Sequence, residues 1–528
     1  MTSIHTLGEL RASGYTVRSV KDEMRANLLA RIARGENTFP GIHGYERTVI
    51  PAIHNAILSK HDIILLGLRG QAKTRILRSL TQLLDEHVPV IDGCEINDEP
   101  YTPTCKRCRR LAAEVGDELR IRWIARDERY REKLATPDVT VADLVGDIDP
   151  IKAANQRLTY ADEEVIHYGI IPRTNRGIFA INELPDLAPR IQVALLNILE
   201  ERDLQIRGFP VRIPMDIVLV FSANPEDYTS RGNIITPLKD RIDSQILTHY
   251  PQQVETARRI TDQEAWLERD GSKGIEIPTF IRDLVESVAF VARESELVDQ
   301  SSGVSARLTI AAIELLHSNL ERRAALTGDA RVFPRLSDLS MVLPAITGKV
   351  EMVYEGEQQG AEVVARKLIG LAVGKLFESR FPPIERAGVS QRNERERRGY
   401  GEIDPDDLDD AFAGRRVKRK QQQREEEKPA PSLEPGYEAA LAWFAAGNKL
   451  TVSDEQPFAT YFAELNRVPG LADLAKKHAR PTSEHELAFW MEMVLEGLHQ
   501  SLRLTREDLD STITFQELMK FNVLRTVR

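Results

Sequence analysis

Between residues 41 and 250 short apolar runs alternate with amphipathic stretches, and this alternation restricts the fold more than any other feature of the chain. The runs are Asp62-Ile63-Ile64-Leu65-Leu66, Val88-Pro89-Val90-Ile91, Gly177-Ile178-Phe179-Ala180-Ile181 and Ile217-Val218-Leu219-Val220-Phe221. Strands this continuously apolar are suited to burial on both faces, whereas a half-exposed strand would alternate. Between the last two, Ile191, Ala194, Leu195, Ile198 and Leu199 recur at helical spacing, which predicts a helix turned toward the core. The expected fold class is α/β, with a parallel sheet flanked by helices.

At 528 residues the chain exceeds what one core usually organises. Residues 1–40 read as a polar helical extension that ends at Phe39-Pro40-Gly41, and 41–250 as the α/β domain. Residues 251–384 read as a helical lid, with apolar periodicity through 280–293, 308–320 and 361–377. Residues 385–435 are nearly free of large apolar side chains, so a mobile, disordered linker is expected there. Its run Arg415-Arg416-Val417-Lys418-Arg419-Lys420 fits a solvated charge cluster better than a nucleic-acid contact. Residues 436–528 regain helical periodicity and are expected to form an all-α C-terminal domain.

The segment Gly67-Leu68-Arg69-Gly70-Gln71-Ala72-Lys73-Thr74 follows a predicted strand and precedes the helical run Arg75–Leu80. A phosphate cradle needs inward backbone N–H groups, a lysine for the β and γ phosphates and a hydroxyl for Mg²⁺. Lys73 and Thr74 supply the last two, and Gly67, Arg69, Gly70, Gln71 and Ala72 form the rest of the loop. Ala72 stands where the pattern usually has its second glycine. At the end of a second apolar strand, Asn182-Glu183 offers a carboxylate, Glu183, to orient or deprotonate a lytic water. Asn182 can serve the metal through its amide oxygen but brings no charge. A third strand ends at Ser222-Ala223-Asn224-Pro225, where Asn224 can meet both γ-phosphate and water. Arg231, Arg241 and Arg307 follow as candidate charge-compensating arginines.

Taken together these motifs resemble the AAA+ proteins of the helix-2-insert group, the I subunit of magnesium chelatase and its MoxR-type relatives among them. The resemblance runs from about Phe39 to Arg307. It includes Phe39-Pro40-Gly41-Ile42-His43-Gly44, Val145-Gly146-Asp147-Ile148-Asp149, Gly169-Ile170-Ile171 and Arg173-Thr174-Asn175-Arg176-Gly177-Ile178. Asn182-Glu183-Leu184-Pro185-Asp186-Leu187 and Ala223-Asn224-Pro225-Glu226 complete it. It implies a P-loop core with Lys73 and Thr74 as Walker A, Glu183 as Walker B base, Asn224 as sensor 1 and Arg307 as sensor 2. Arg241 is then the first choice for a finger acting on the adjacent subunit, with Arg231 second. Asn182 departs from the family's usual aspartate. The implied cofactors are ATP and Mg²⁺, the implied assembly is a hexameric ring, and the implied partner is a separate von Willebrand factor A domain protein.

Cys94, Cys105 and Cys108 fall in an insertion at about 93–110 and are the only cysteines in the chain. The Cys105-x-x-Cys108 spacing suits two thiolates on one structural Zn²⁺, with His87 or a carboxylate as candidates for the missing ligand. Reduced thiols with no metal are the alternative. An odd, low cysteine count fits a reducing compartment, and no apolar run is long enough to span a bilayer, so a cytoplasmic location is expected. The net charge of -10 argues against a nucleic-acid-coating protein. The leading expectation is an ATP-hydrolysing ring motor that remodels a partner or loads a metal into it. The alternative is a nucleotide-gated module in which Ala72 and Asn182 have crippled hydrolysis. A sigma-54-type regulator ranks last, for want of its loop motif and of a helix-turn-helix.

Overall fold

A computed structural model describes residues 3–156, 162–206, 212–224, 233–270, 274–384, 433–509 and 512–518. The chain divides into two compact units. The first comprises Met1–Glu264, Val298–Leu308 and Lys349–Val353; the second comprises Ala265–Leu297, Thr309–Gly348 and Tyr354–Arg528.

The first unit is built on a five-stranded parallel sheet in the order Ser244–Leu247, Ile63–Leu66, Ile217–Ala223, Gly177–Asn182, Tyr130–Leu134. Alternate residues of the central strands point to opposite faces, and both faces are covered. Ile64, Phe179, Ile181, Leu219 and Phe221 pack with Ile191, Leu195, Ile198 and Leu238. Ile63, Leu65, Ile178, Ala180, Val218 and Val220 pack with Val49, Ile53, Ile76 and Leu77. The helix Val20–Ala33 joins that second layer through Val20, Met24 and Leu28, so the N-terminal segment is part of the core. The expected core-facing helix is present in two pieces, Pro189–Ala194 and Leu196–Glu200.

One strand expected in the main sheet lies elsewhere. His87–Ile91 pairs antiparallel with Ile121–Ala125 in a separate two-stranded sheet. Pro89 has no N–H to donate, which confines it to strands with one side unpaired. The outer place in the parallel sheet is taken by Tyr130–Leu134, a strand of sequence YREKL. Charges are a usual guard on an edge strand, and they hide it from a search for apolar runs.

In the second unit the helices Thr279–Glu294, Ala361–Arg380 and Glu484–Gln500 are rich in buried residues. The lid and the C-terminal segment were expected to be separate domains; 251–264, 298–308 and 349–353 belong to the first unit, while the C-terminal segment and most of 251–384 fall in this one. Glu492 ties them together, accepting from Leu336 N at 2.8 Å and from the Tyr461 hydroxyl at 2.6 Å. The C-terminal segment is mainly helical but not all-α, because Leu450–Ser453, Thr512–Glu517 and Leu504–Leu509 form a three-stranded antiparallel sheet. The last two are short, polar, alternating strands, a signal too weak to stand out among helical periods. Most of the charged linker, including residues 415–420, lies outside the described residues. Among the described residues no helix is long and apolar enough to cross a membrane.

Below the sheet of the first unit, Arg129 and Glu23 form a buried pair with two 2.7 Å hydrogen bonds, and Arg129 Nε donates to Arg176 O at 2.7 Å. Glu23→Ala leaves the guanidinium buried without its carboxylate, and stability is expected to fall by about 3–5 kcal/mol. Urea denaturation followed by fluorescence measures it; a loss under about 1 kcal/mol would reduce the pair to the rank of a surface bridge.

Candidate active site

Parallel strands end on the same side of a sheet, so the segments after Leu66, Asn182 and Ala223 are neighbours there. The loop after Leu66 turns back toward the sheet, and Lys73 begins the helix Lys73–Ser79. The Lys73 side chain is buried, and its ammonium donates to the carbonyls of Gly67 and Leu68 and to Asn224 Oδ1. Thr74 Oγ1 donates to Asn182 Oδ1 at 3.3 Å, and the same oxygen accepts from Ser222 Oγ at 3.2 Å. Ser222 Oγ in turn accepts from Glu183 N at 3.3 Å. Lys73, Thr74, Asn182, Glu183 and Asn224, from three separate stretches of sequence, therefore meet in one polar cluster.

The loop is braced from outside. Gln71 Oε1 accepts from Thr248 Oγ1 at 2.7 Å, and Gln71 O accepts from the Tyr45 hydroxyl at 3.0 Å. Burial pushes the Tyr45 phenol up to about 12, so it stays a donor. Tyr250 OH donates to Arg69 O at 2.8 Å, while Arg69 Nε donates to Ser302 O at 2.9 Å and its guanidinium pairs with Glu351 at 2.6 Å. Gly70, at a φ of +74°, lies against Ser305, and a Cβ there would come within 2.1 Å of Ser305 Oγ. At Gly67 a Cβ would come within 1.9 Å of Thr248 Oγ1. Both glycines are thus required by close approach. The segment 302–305, which leads into the helix Arg307–Thr327, is the loop's outer wall.

Ala72 adopts φ 57°, ψ 15°, the left-handed conformation that the usual glycine would take freely. The cradle keeps its shape, with the substitution absorbed as local strain. A cluster of a buried lysine, a hydroxyl, an amide and a carboxylate beside a loop closed to side chains fits a nucleoside triphosphate with Mg²⁺.

The arginines are less gathered. Arg241 ends the helix Thr236–Arg241 and donates to Glu200 Oε2 at 2.6 Å. Arg307 is exposed at the start of its helix. Arg231 lies outside the described residues, as do Pro225 and Glu226. Ser222, Thr248 and Tyr45 carry no signature of their own in the sequence and gain a role only through position.

The cysteines come together in the same unit. Cys94, Cys105 and Cys108 are buried, and the fourth group beside them is Asp98 rather than His87, which is exposed on its strand. Hydrogen bonds from the neighbouring thiols Cys105 and Cys108, with backbone help, hold Cys94 well below the usual thiol range.

Comparison with known proteins agrees with the resemblance to AAA+ ATPases. A family model described as the AAA domain of the dynein-related subfamily matches residues 119–242. A magnesium-chelatase subunit ChlI homolog of Methanocaldococcus jannaschii is 25% identical over 234 residues, covering 42% of this chain and 59% of that protein. The magnesium-chelatase 67 kDa subunit of Heliobacterium mobile is 25% identical over 202 residues, covering 37% of this chain and 29% of that protein. The chain thus spans less than two thirds of the length of these relatives. A solved assembly of the BchI and BchD subunits of magnesium chelatase is 19% identical, covering 61% of this chain and 98% of that one, with a TM-score of 0.31, too low to bear on the fold. The chain resembles the AAA+ ATPases, with residues 119–242 matching an AAA domain and these curated relatives being magnesium-chelatase subunits.

Left-handed alanine costs about 1–2 kcal/mol, and glycine's greater loss of freedom on folding takes back about half of that. Ala72→Gly is accordingly expected to raise the unfolding midpoint slightly while leaving ATP affinity unchanged. Differential scanning calorimetry with and without nucleotide checks both; a lowered midpoint would mean that the loop is not strained at this residue.

Proposed function

We propose that the chain is an ATP-hydrolysing ring motor with its nucleotide between adjacent subunits. The observation that carries the reading is the convergence of Lys73, Thr74, Asn182, Glu183 and Asn224 at one end of the sheet. Lys73, now held by loop carbonyls and Asn224, is the cation that would bind the β and γ phosphates. Bound Mg²⁺ would supply charge compensation on those phosphates, with Thr74 and Asn182 as the residues suited to hold it. Glu183 takes the water's proton or orients its attack, and Asn224 positions the water against the γ-phosphate.

Arg241 acts on the neighbouring subunit's nucleotide in this reading, with Arg231 as second candidate and Arg307 serving its own site. The Arg241–Glu200 pair is partly exposed and worth about 0–1 kcal/mol, so releasing the guanidinium costs little. By analogy with the chelatase relatives, the ring is a hexamer and drives a separate von Willebrand A domain protein, remodelling it or promoting metal insertion. Zinc at the cysteine cluster has no part in hydrolysis.

A second reading is favoured by one observation. Asn182 faces Thr74 with a neutral amide, so the metal's second anchor lacks charge and the chain could act as a nucleotide-gated switch. Steady-state Mg-ATP hydrolysis, measured against protein concentration, separates the two. A motor with shared sites gives specific activity that rises with concentration and vanishes in Lys73→Ala. Glu183→Gln is expected to lower turnover by about 10²–10⁴-fold while ATP still binds. Tight ATP binding with no turnover in the unaltered chain selects the switch. In either case Asn182→Asp, by restoring the charge, is expected to lower the Mg²⁺ concentration needed for ATP binding.

A further inference from the structure

The hairpin His87–Ile91 with Ile121–Ala125 is a two-stranded sheet whose own apolar cluster consists of Val88, Val90 and Ile124. A two-stranded sheet is marginal by itself in water, and this one joins the main core through Ile91 and the segment that connects its strands. That segment contains every cysteine in the chain.

One ligand atom from each of Cys94, Asp98, Cys105 and Cys108 lies within 4.8 Å of the others, and all four residues are buried. We infer that these four side chains bind a structural zinc ion. Tetrahedral zinc with sulfur at about 2.3 Å sets neighbouring ligand atoms near 3.8 Å, so the cluster needs only a small contraction to close on the ion. A buried carboxylate is costly unless it is well paired, and three thiols gathered beside it complete a donor set that zinc favours. Their surroundings are those of ligands. Asp98 N donates to Cys94 Sγ at 3.3 Å, and Cys108 N donates to Cys105 Sγ at 3.3 Å. Backbone donors on sulfur favour the thiolate and fix its direction. Asp98 is oriented as well, by Thr104 Oγ1 at 2.6 Å on one oxygen and Cys105 N at 2.9 Å on the other. Each carboxylate oxygen keeps a further lone pair for the metal.

Four protein ligands complete the shell and leave no place for substrate or water, which marks the site as structural. Zinc binding would displace the thiol protons to solvent and close the loop from 94 to 108. The loop is tied to the main sheet at the edge opposite the nucleotide cluster, through Asn97, whose amide donates to Arg173 O at 3.1 Å, and Ile96, whose carbonyl accepts from Asn175 at 3.0 Å. Residues 173–176 lead directly into the strand Gly177–Asn182.

The test uses the full-length protein and cobalt as the probe. Purified without metal-affinity resin, the chain is expected to hold equimolar zinc by plasma mass spectrometry. Exchange with Co²⁺ should give intense visible bands of a tetrahedral ion and a thiolate-to-cobalt charge-transfer band. Asp98→Ala should keep the charge-transfer band and shift the visible bands, while Cys108→Ser should reduce the charge-transfer intensity by about a third, one thiolate of three. Absence of both zinc and cobalt bands in the unaltered chain overturns the proposal. So does a visible spectrum that Asp98→Ala leaves unmoved, which would remove Asp98 from the ligand set. None of these readouts depends on ATP turnover.

Discussion

The register of the parallel sheet is held by charged residues at the ends of its strands. Strands that are apolar on both faces have no hydrophobic alternation to pin them, and a slip of one residue would exchange their faces. Each of the five is immediately preceded by a charged side chain: Asp62, Arg129, Arg176, Asp216 and Asp243. Asp62 is fully buried, accepts from Leu219 N at 2.8 Å and pairs with Lys21 and Arg202. Asp243 accepts from Asp62 N at 2.9 Å. Arg176 N donates to Asp216 O at 2.6 Å, and Asp216 N donates to Asn175 Oδ1 at 2.8 Å. Burial pushes the Asp216 carboxyl up and the Arg176 guanidinium down, so these groups are a cost carried for specificity.

The opposite edge depends on that register. With Leu66 beside Ala223 and Ile181 beside Phe221, the next residues are Gly67, Asn224 and the Asn182-Glu183 pair. One residue of slip is about 3.3 Å along a strand, more than a hydrogen bond tolerates. It would carry Asn224 away from Lys73 and Asn182 away from Thr74. The nucleotide cluster and the buried charges are thus two ends of one constraint, and the N-terminal helix that supplies Glu23 belongs to it.

What could be read in the sequence follows from what each element has to do. Strands Ile63–Leu66, Gly177–Asn182 and Ile217–Ala223 are central, hence apolar and legible. Lys73, Thr74, Glu183 and Asn224 were legible as candidates because each follows an apolar strand that the sequence marks, and the structure brings them together. Tyr130–Leu134 was not, since an edge strand is selected to be charged. Which carboxylate would join the cysteines was not legible, because Glu95 and Glu99 flank Asp98 and only the fold turns Asp98 inward. The C-terminal strands were lost among stronger helical periods, and only their pairing reveals them.

The two departures from the usual nucleotide-site pattern differ in kind. Ala72 holds the backbone conformation that glycine would hold, with its neighbours braced by Tyr45, Thr248 and Ser305. Its effect is steric, confined to about 1–2 kcal/mol of conformational energy. Asn182 keeps the position and the hydrogen bonds of its site and alters only charge. A charge cannot be recovered by local adjustment, because the amide remains neutral in every rotamer. Glu183, the proposed base, is also in the left-handed region at φ 56°, a strained conformation of the kind that gathers at functional sites. The strain at Glu183 would have no use in a site that only holds nucleotide, while a neutral metal anchor weakens binding and turnover alike. The retained base therefore weighs toward hydrolysis, and the lost charge toward its rate.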